Sequence, residues 1–371
     1  MKLIFLSIMI LTIFAFNAFA WMRGWQALPI GSVYRPIFLG TMIGLYFTFL
    51  VGMFLGGRLD PPLGKVITFI GFSYFLFVIY LLLSFLMVDI VRLFNYFLHF
   101  APSGMLVFRQ WAMMGSVIGI AGLMIWGNYN FNHPKVVRLE MESNKPKQNK
   151  HLKIVMVSDL HLGVSIDKQR LKGFVNLINA QNPDVVLMAG DISDRLMAPV
   201  IKQNMVEELR TIKSKLGVYA INGNHEHYAE RPNATAEYLE SAGIKVLRDE
   251  TILVDNSFYI VGRDELPLTT RKDLSGIIAG IDKKLPYILM DHQPFHLEQA
   301  QNAGFDLQVS GHTHNGQFFP GNLIVKSIYE LPHGFMKKGV TNYYVSSGLG
   351  IWGPQYRIGT QSEVVVIDFK Y

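Results

Sequence analysis

Cysteine is absent from the 371 residues of this chain. The absence excludes disulfide bonds, thiolate metal ligands and a cysteine nucleophile. It does not decide the compartment in which the chain works. Any metal chemistry must use oxygen and imidazole nitrogen, which the 28 acidic residues and 11 histidines can supply.

Charge is also scarce, and the scarcity is confined to one end of the chain. Only nine charged side chains occur in residues 1–130, against 34 basic and 28 acidic residues in the whole sequence. Charged residues make up 17% of the chain, whereas soluble domains carry about 25%. The sequence therefore predicts a membrane domain at 1–130, a basic linker at 131–150 and a water-soluble domain at 151–371.

No dense basic stripe accompanies the net charge of +6, so a nucleic-acid partner is not favoured. The one basic run consists of Lys145, Lys147, Lys150 and Lys153. Its position just after the apolar part is typical of a positive flank beside a membrane segment.

Four apolar stretches predict about four transmembrane helices, since a span needs ~20 residues. They lie at 3–22, 37–56, 66–88 and 110–126, and the fourth is the shortest. The first stretch is consistent with two interpretations, an uncleaved membrane anchor or a signal peptide cleaved after Ala18-Phe19-Ala20. Either reading puts the following residues outside, so three further crossings would return the chain to the cytoplasm. If the fourth stretch does not span, the soluble domain lies outside.

The soluble half alternates short apolar runs with amphipathic stretches. The runs at 153–158, 184–189, 216–221, 286–290 and 306–310 indicate buried strands. Helices are predicted at 167–180, 199–215, 234–242, 272–281 and 295–302, and further strands closing a second sheet at 323–369. Such alternation is typical of a layered α/β domain, in which sites collect beyond the carboxyl ends of the strands.

Five polar motifs follow the predicted strands. They are Asp159-Leu160-His161, Gly190-Asp191, Gly223-Asn224-His225-Glu226, His292 and Gly311-His312-Thr313-His314. Taken singly, the shorter motifs are common in surface turns. Taken together at strand ends, they supply enough oxygen and nitrogen ligands for two metal ions, which is the chemistry of metal-assisted phosphoester hydrolysis. In the two motifs with ligands at i and i+2, an extended backbone points both side chains to one side.

The order of the motifs closely resembles the calcineurin-like metallophosphoesterase superfamily over residues 152–315, and more narrowly its membrane-attached bacterial members. The resemblance implies a four-layer sandwich of two mixed sheets flanked by helices, behind the N-terminal transmembrane helices. It further implies that Asp159, His161, Asp191 and His314 hold one metal and that Asp191, Asn224, His292 and His312 hold a second, with Asp191 bridging. His225 would be the catalytic residue beside the phosphate and not a ligand.

The function that follows is a membrane-anchored, dimetal-dependent phosphoester hydrolase in which a metal-bridging hydroxide attacks phosphorus. The ligand set fits manganese, iron or zinc. The substrate is a phosphoester, with a lipid-linked one among the alternatives. A non-enzymatic membrane sensor or scaffold that binds a phospholigand is the competing interpretation.

Other polar and aromatic residues carry weaker predictions. Asp194 and Glu226 are candidates to orient the ligands. Arg357 is a candidate phosphate contact, against an ordinary salt bridge. The segments 318–319 and 349–352 are either an apolar rim for a lipid-like substrate or part of the core.

Overall fold

The computed structural model describes residues 2–100, 105–146, 148–229, 231, 233–266 and 270–371, so Lys147 of the basic run lies outside the described residues. The chain divides into two compact units. One comprises Met1–Gly127 with Gly353–Gln355, and the other comprises Asn128–Trp352 with Tyr356–Tyr371.

Four long helices build the first unit. They are α1 Lys2–Ala27, α2 Tyr34–Leu55, α3 Pro61–Leu98 and α4 Met105–Asn132. Each is long and apolar enough to cross a membrane, which confirms the prediction of four apolar helices. The fourth, with the shortest apolar run, becomes a helix of 28 residues and so has length to span ~30 Å.

Small residues let α2 and α3 approach closely. A Cβ on Gly71 would lie 2.6 Å from the Cα of Phe49, so only glycine fits this crossing. The Phe49 ring stacks on Phe75 with 4.9 Å between ring centroids. An ion pair of 2.5 Å between Arg23 and Asp89 joins α1 to α3.

Two six-stranded sheets form the second unit. The strands are β1 Lys135–Glu142, β2 His151–Val157, β3 Val185–Ala189, β4 Val218–Ile221, β5 Lys245–Val246, β6 Glu250–Val254, β7 Phe258–Gly262, β8 Tyr287–Met290, β9 Leu307–Ser310, β10 Gly334–Lys338, β11 Thr341–Val345 and β12 Glu363–Lys370. The first sheet has the order β1-β12-β2-β3-β4-β5, and the second has the order β10-β11-β9-β8-β7-β6. Both sheets mix parallel and antiparallel pairs.

Eight shorter helices accompany the sheets. They are α5 Lys168–Asn179, α6 Ala198–Lys202, α7 Val206–Leu209, α8 Asn224–His227, α9 Ala234–Ser241, α10 Leu274–Ile277, α11 Leu297–Ala303 and α12 Gly321–Ile328. All but α8 and α12 pack on the outer faces of the sheets. Successive side chains of β2 face opposite ways. Ile154 and Met156 pack between the sheets, whereas Val155 and Val157 pack with α5. A third cluster lies behind the second sheet with α10 and α11, and the four layers confirm the predicted sandwich.

Several local predictions are corrected. Part of the predicted linker is strand β1, which pairs in parallel with β12 along its whole length. Strand β12 joins the first sheet between β1 and β2 and does not close the second. The helix predicted at 199–215 breaks into α6 and α7 at Asn204, whose φ of 49° is left-handed. Residues 323–328, predicted as part of a strand region, belong to helix α12.

The topology brings the ends of the central strands together. Strands β2, β3 and β4 are mutually parallel, and β8 runs parallel to β9 in the second sheet. Each of these strands ends within a few residues of a polar motif. Because the carboxyl ends of parallel strands meet at one edge, the motifs converge there.

Candidate metal centre

Eight polar residues converge at the carboxyl edges of the two sheets. Asp159 and His161 follow β2, Asp191 follows β3, Asn224 and His225 follow β4, His292 follows β8, and His312 and His314 follow β9. Three overlapping groups among them have ligand atoms within 4.8 Å of one another and could hold a metal ion. The structure therefore brings together every residue that the sequence predicted for the site.

The backbone at this edge is unusual. Asp159, His161, Asp191, His312 and His314 all have positive φ angles between 50° and 71°. Residues other than glycine seldom adopt this conformation, which costs about 1–3 kcal/mol each and is concentrated at functional sites. Backbone hydrogen bonds hold it, since His161 N donates to Asp191 O over 3.0 Å and Gly350 N donates to Asp159 O over 3.0 Å.

The first cluster contains Asp159, His161 and His314. The Nε2 atom of His314 lies 3.3 Å from Asp159 Oδ1 and 3.1 Å from the Nε2 atom of His161. Burial lowers the pKa of His161 to about 3 and that of His314 well below its usual range. Both rings are therefore neutral, which leaves their lone pairs for a cation.

The second cluster contains Asp191, His292, His312 and Asn224. His292 Nδ1 donates to the carbonyl of Ala189 over 2.7 Å, which turns Nε2 toward the site, 3.3 Å from Asp191 Oδ2. This contact is the usual way to fix a ligating imidazole. The Nδ1 atom of His312 lies 2.7 Å from Asn224 Oδ1. Asp191 Oδ2 is also 3.8 Å from His161 Nε2, so this carboxylate stands between the two clusters.

The residues present fit a pair of metal ions. The Nε2 atom of His292 is buried without a hydrogen-bond partner, although it lies near a carboxylate. Asp159 and Asp191 are both fully buried, and burial raises the pKa of Asp159 to about 6. The two buried carboxylates lie among His161, His312 and His314, whose pKa values burial lowers. At His292 the charge of Asp191 outweighs burial and raises the pKa well above its usual range. Bound cations would stabilise these buried carboxylates.

His225 differs from the other histidines of the site. Its Nδ1–H donates to Asp194 Oδ1 over 2.9 Å, and its backbone N donates to Asp191 Oδ1 over 2.9 Å. Burial lowers its pKa, but the hydrogen bond to Asp194 and the charge of Asp191 outweigh burial and raise the pKa to about 9. The ring of His225 also lies close to His161 and Asp191, with ligand atoms of the three within 4.8 Å of one another, so a metal-ligand role is the alternative to that of a proton donor.

Glu226 closes the turn that carries these residues. Its carboxylate accepts hydrogen bonds from the backbone N atoms of Asp191, Ser193 and Gly223, at 3.0, 2.8 and 2.8 Å. The loops after β3 and β4 are thereby tied together. Glu226 and Asp194 thus contact the predicted site residues as the sequence indicated.

Gly223 allows the closest approach between these loops. A Cβ here would overlap the Asp191 carboxylate, and it would lie 2.6 Å from the Asp191 N atom and 2.8 Å from His292 Cδ2. The backbone of Gly223 has φ of −115°, so the requirement is space and not a left-handed conformation.

Gly223→Ala should displace Asp191 and His292 and weaken metal binding by about 10- to 100-fold. Isothermal titration with manganese would measure the change. The matched control is Gly173→Ala on α5, where a Cβ meets nothing within 4 Å. Wild-type metal affinity in Gly223→Ala would contradict the close approach.

Arg357 is fully buried and supports the loops beside the first cluster. Its guanidinium donates to three backbone carbonyls, those of His314, Gly348 and Gly350, at 3.0, 3.1 and 2.8 Å. Arg357 is therefore not placed to contact a phosphate, because its guanidinium already donates to these three backbone carbonyls. The pattern of the sequence carries no signal for this role.

Arg357→Met should destabilise the soluble unit by about 3 kcal/mol, because three buried carbonyls lose their donors. The midpoint of thermal unfolding should fall by about 10 °C. Arg210→Met is the matched control, since the Arg210 guanidinium also bonds a carbonyl, that of Ser241, but at an exposed position. Equal shifts in the two variants would contradict a special role for the buried site.

One further side chain near the centre, that of Glu265, was missed. Glu265 is buried, its Oε1 accepts from Gln293 Nε2, and burial raises its pKa to about 6. It sits in a loop with no motif, so no sequence pattern indicated it.

The segments predicted as either an apolar rim or core are divided between the two. Leu349 and Ile351 are buried, whereas Phe319 and Trp352 are 47% and 49% exposed.

Comparison with known proteins gives a consistent family. The calcineurin-like phosphoesterase profile matches residues 152–316. An uncharacterized metallophosphoesterase of Campylobacter jejuni is 32% identical over 263 residues, which are 69% of this chain and 69% of the relative. A transmembrane protein with metallophosphoesterase domain from Danio rerio is 31% identical over 71% of this chain and 63% of its own length. The crystal structure of a dimetal phosphatase from Danio rerio is 12% identical, with a TM-score of 0.36, over 58% of this chain and 98% of the other.

Proposed function

The chain belongs to the calcineurin-like metallophosphoesterase family, and on this premise we propose that it is a membrane-anchored, dimetal-dependent phosphoester hydrolase. The observation that carries the proposal is the pair of buried ligand clusters with the Asp191 carboxylate between them. The four apolar helices support membrane anchoring.

In the proposed centre, Asp159, His161, Asp191 and His314 would hold one cation, and Asp191, Asn224, His292 and His312 would hold the other. Manganese, iron and zinc suit this mixed oxygen and nitrogen set. When bound, the two cations would supply Lewis-acid polarisation of the phosphoryl group and an activated water.

The residues of the chain perform the remaining tasks. His225 holds a proton on its ring, and Asp194 fixes that ring through Nδ1. The Nε2–H is then available to stabilise the phosphate or to protonate the leaving oxygen, which is general acid catalysis. The Glu226 carboxylate keeps Asp191 in place by accepting a hydrogen bond from the backbone N atom of Asp191.

The test uses the full chain in detergent with bis(4-nitrophenyl) phosphate and added manganese, iron or zinc. We expect hydrolysis that stops on chelation and returns with metal. Activity that survives chelation, or survives in Asp191→Ala, would overturn the hydrolase mechanism. Normal metal binding without turnover of monoesters, diesters and pyrophosphates would favour the sensor or scaffold instead.

We also propose that the catalytic unit faces the cytoplasm. An uncleaved first helix and four crossings would return the chain to the side where it started, with the basic run after the fourth helix on the inner face. A reporter fused after Tyr371 should be active inside the cell. Activity of that reporter only outside the cytoplasm would reject this orientation.

A further inference from the structure

Helix α12 presents its apolar side chains to solvent. Leu323, Ile324 and Ile328 are 54%, 59% and 54% exposed. We define these three residues as the outer face of α12. No residue of this helix is buried, although a surface helix normally turns its apolar stripe toward the core.

The side of α12 nearest the domain carries Gly321, Asn322 and Val325, which are half-buried, whereas Lys326 and Ser327 are exposed. The first turn of the helix lies against the short 3₁₀ turn His314–Gly316, since a Cβ on Gly316 would meet the backbone of Gly321 and Asn322. The Oδ1 atom of Asn322 is buried. Hydrophobic burial inside the domain therefore does not explain the apolar residues, and they fit an apolar surface outside it.

The outer face of α12 is connected to the metal centre through short, hydrogen-bonded backbone. Gly321 N donates to Phe318 O over 2.8 Å, and Phe319 N donates to Ile358 O over 2.9 Å. The helix begins seven residues after His314. Gln317 Nε2 donates to the carbonyl of Trp352 over 2.9 Å, so an exposed tryptophan lies beside the same loop.

A lipid bilayer is the occupant that suits this face. The chain carries four helices that could cross a membrane, and only His133 and Pro134 separate α4 from β1. Three half-exposed side chains offer roughly 300 Å², more than a third of what each partner brings to a standard protein interface. A short surface helix with exposed apolar residues, an exposed lysine in its last turn (Lys326) and aromatic neighbours is typical of the membrane interface.

We propose that α12 docks on the membrane surface through its outer face and thereby presents the metal centre to phosphoesters at the headgroup level. The second part rests on the proposed hydrolase function, whereas the docking itself does not. Apolar side chains at the interface would also resist withdrawal of the domain from the bilayer.

Absence of cysteine makes the docking directly measurable. Ile324→Cys carries the only thiol in the chain and can take a nitroxide label, with Leu253→Cys as the control. Leu253 is an apolar residue of β6 that is 40% exposed. The full-length protein is placed in vesicles of phosphatidylcholine with a minor fraction of phosphatidylglycerol, and collisions with oxygen and with a water-soluble nickel complex are compared.

The label at position 324 should favour oxygen over nickel by about threefold relative to the label at 253, because oxygen partitions into lipid. A label equally open to both reagents would show that the face lies in water. A label closed to both would show that protein, such as a second copy of the chain, covers it. Either of these two results overturns the proposal.

Activity tests the functional part separately. The double variant Ile324→Asn with Ile328→Asn is compared with Leu253→Asn on two probes that share a leaving group. One is bis(4-nitrophenyl) phosphate in solution, and the other is a long-chain alkyl 4-nitrophenyl phosphodiester in the vesicles. The ratio of vesicle to solution activity should fall about tenfold in the double variant only. An unchanged ratio overturns the presentation role, while absence of hydrolysis by the wild type refutes the hydrolase and leaves the label result valid.

Discussion

Replacing Asp191 with asparagine is expected to lower kcat on bis(4-nitrophenyl) phosphate by about a thousandfold or more and to abolish the binding of at least one metal ion. The Asp191 carboxylate lies 3.3 Å from His292 Nε2 and 3.8 Å from His161 Nε2, so it faces both ligand clusters. Asparagine keeps the shape of the side chain but removes its charge and one of its two acceptor oxygens. A shared ligand should therefore be the most sensitive position of the centre.

The fold should tolerate this substitution. An asparagine Oδ1 can still accept the hydrogen bond that His225 N donates to Asp191 Oδ1. In the wild type, burial and then the negative charge of Asp191 raise the pKa of Asp159. The substitution removes this repulsion between the two carboxylates. We expect the metal-free variant to unfold at a temperature no lower than that of the metal-free wild type.

The measurements are metal content by mass spectrometry, kcat, and thermal unfolding with and without manganese. Asp167→Asn is the matched control, because Asp167 caps α5 by accepting from Arg170 N and lies outside the ligand clusters. That variant should keep full activity and metal. Two bound metals and undiminished turnover in Asp191→Asn would show that this carboxylate does not bridge the centre.

The sequence was informative about the site because strand ends and metal ligands obey strong local rules. The apolar runs that became β2, β3, β4, β8 and β9 are each followed by a polar motif, and parallel pairing brings those ends to one edge. The motif residues therefore come together once these strands pair. The left-handed backbone at five of them was not predictable, because only the hydrogen bonds between loops select it.

Elements defined by distant partners escaped prediction. Strand β1 has alternating charged residues typical of an exposed segment, and it is a strand because β12 lies beside it. Strand β12 reads equally well as a member of either sheet, since a short apolar run does not identify its neighbours. The role of Arg357 depends on three carbonyls that come from two separate loops, which no local pattern describes.

The outward apolar face of α12 illustrates a different limit. Its residues satisfy the pattern of an amphipathic helix, and the pattern alone would place them inward. In the structure Leu323, Ile324 and Ile328 are exposed instead, and the helix meets the domain through the backbone of its first turn, which lies against Gly316. Amphipathic patterns predict that a helix has two faces, but the packing of its backbone decides which face meets the domain.

His225→Ala is expected to lower kcat on an alkyl phosphodiester by about 100- to 1,000-fold while metal content stays unchanged. His225 is held by Asp194 and by the backbone of the Asp191 loop, and its side chain is 16% exposed, unlike that of His161 at 1%. It therefore borders the open side of the centre, where a leaving group can depart. A proton on its ring would matter most when the leaving oxygen is a poor one.

This dependence on the leaving group separates an acid from a metal ligand. If His225 donates the proton, the loss in the variant should shrink to about tenfold or less with 4-nitrophenol as the leaving group, because that anion departs without protonation. Asp194→Asn should show the same trend more weakly, since the ring remains but loses its charged partner. A uniform loss on all substrates together with reduced metal content would instead make His225 a ligand, consistent with its distance to His161 and Asp191. An acid and a metal ligand would thus differ in both metal content and leaving-group dependence. The His225→Ala variant therefore decides between these two roles, which the geometry alone does not separate.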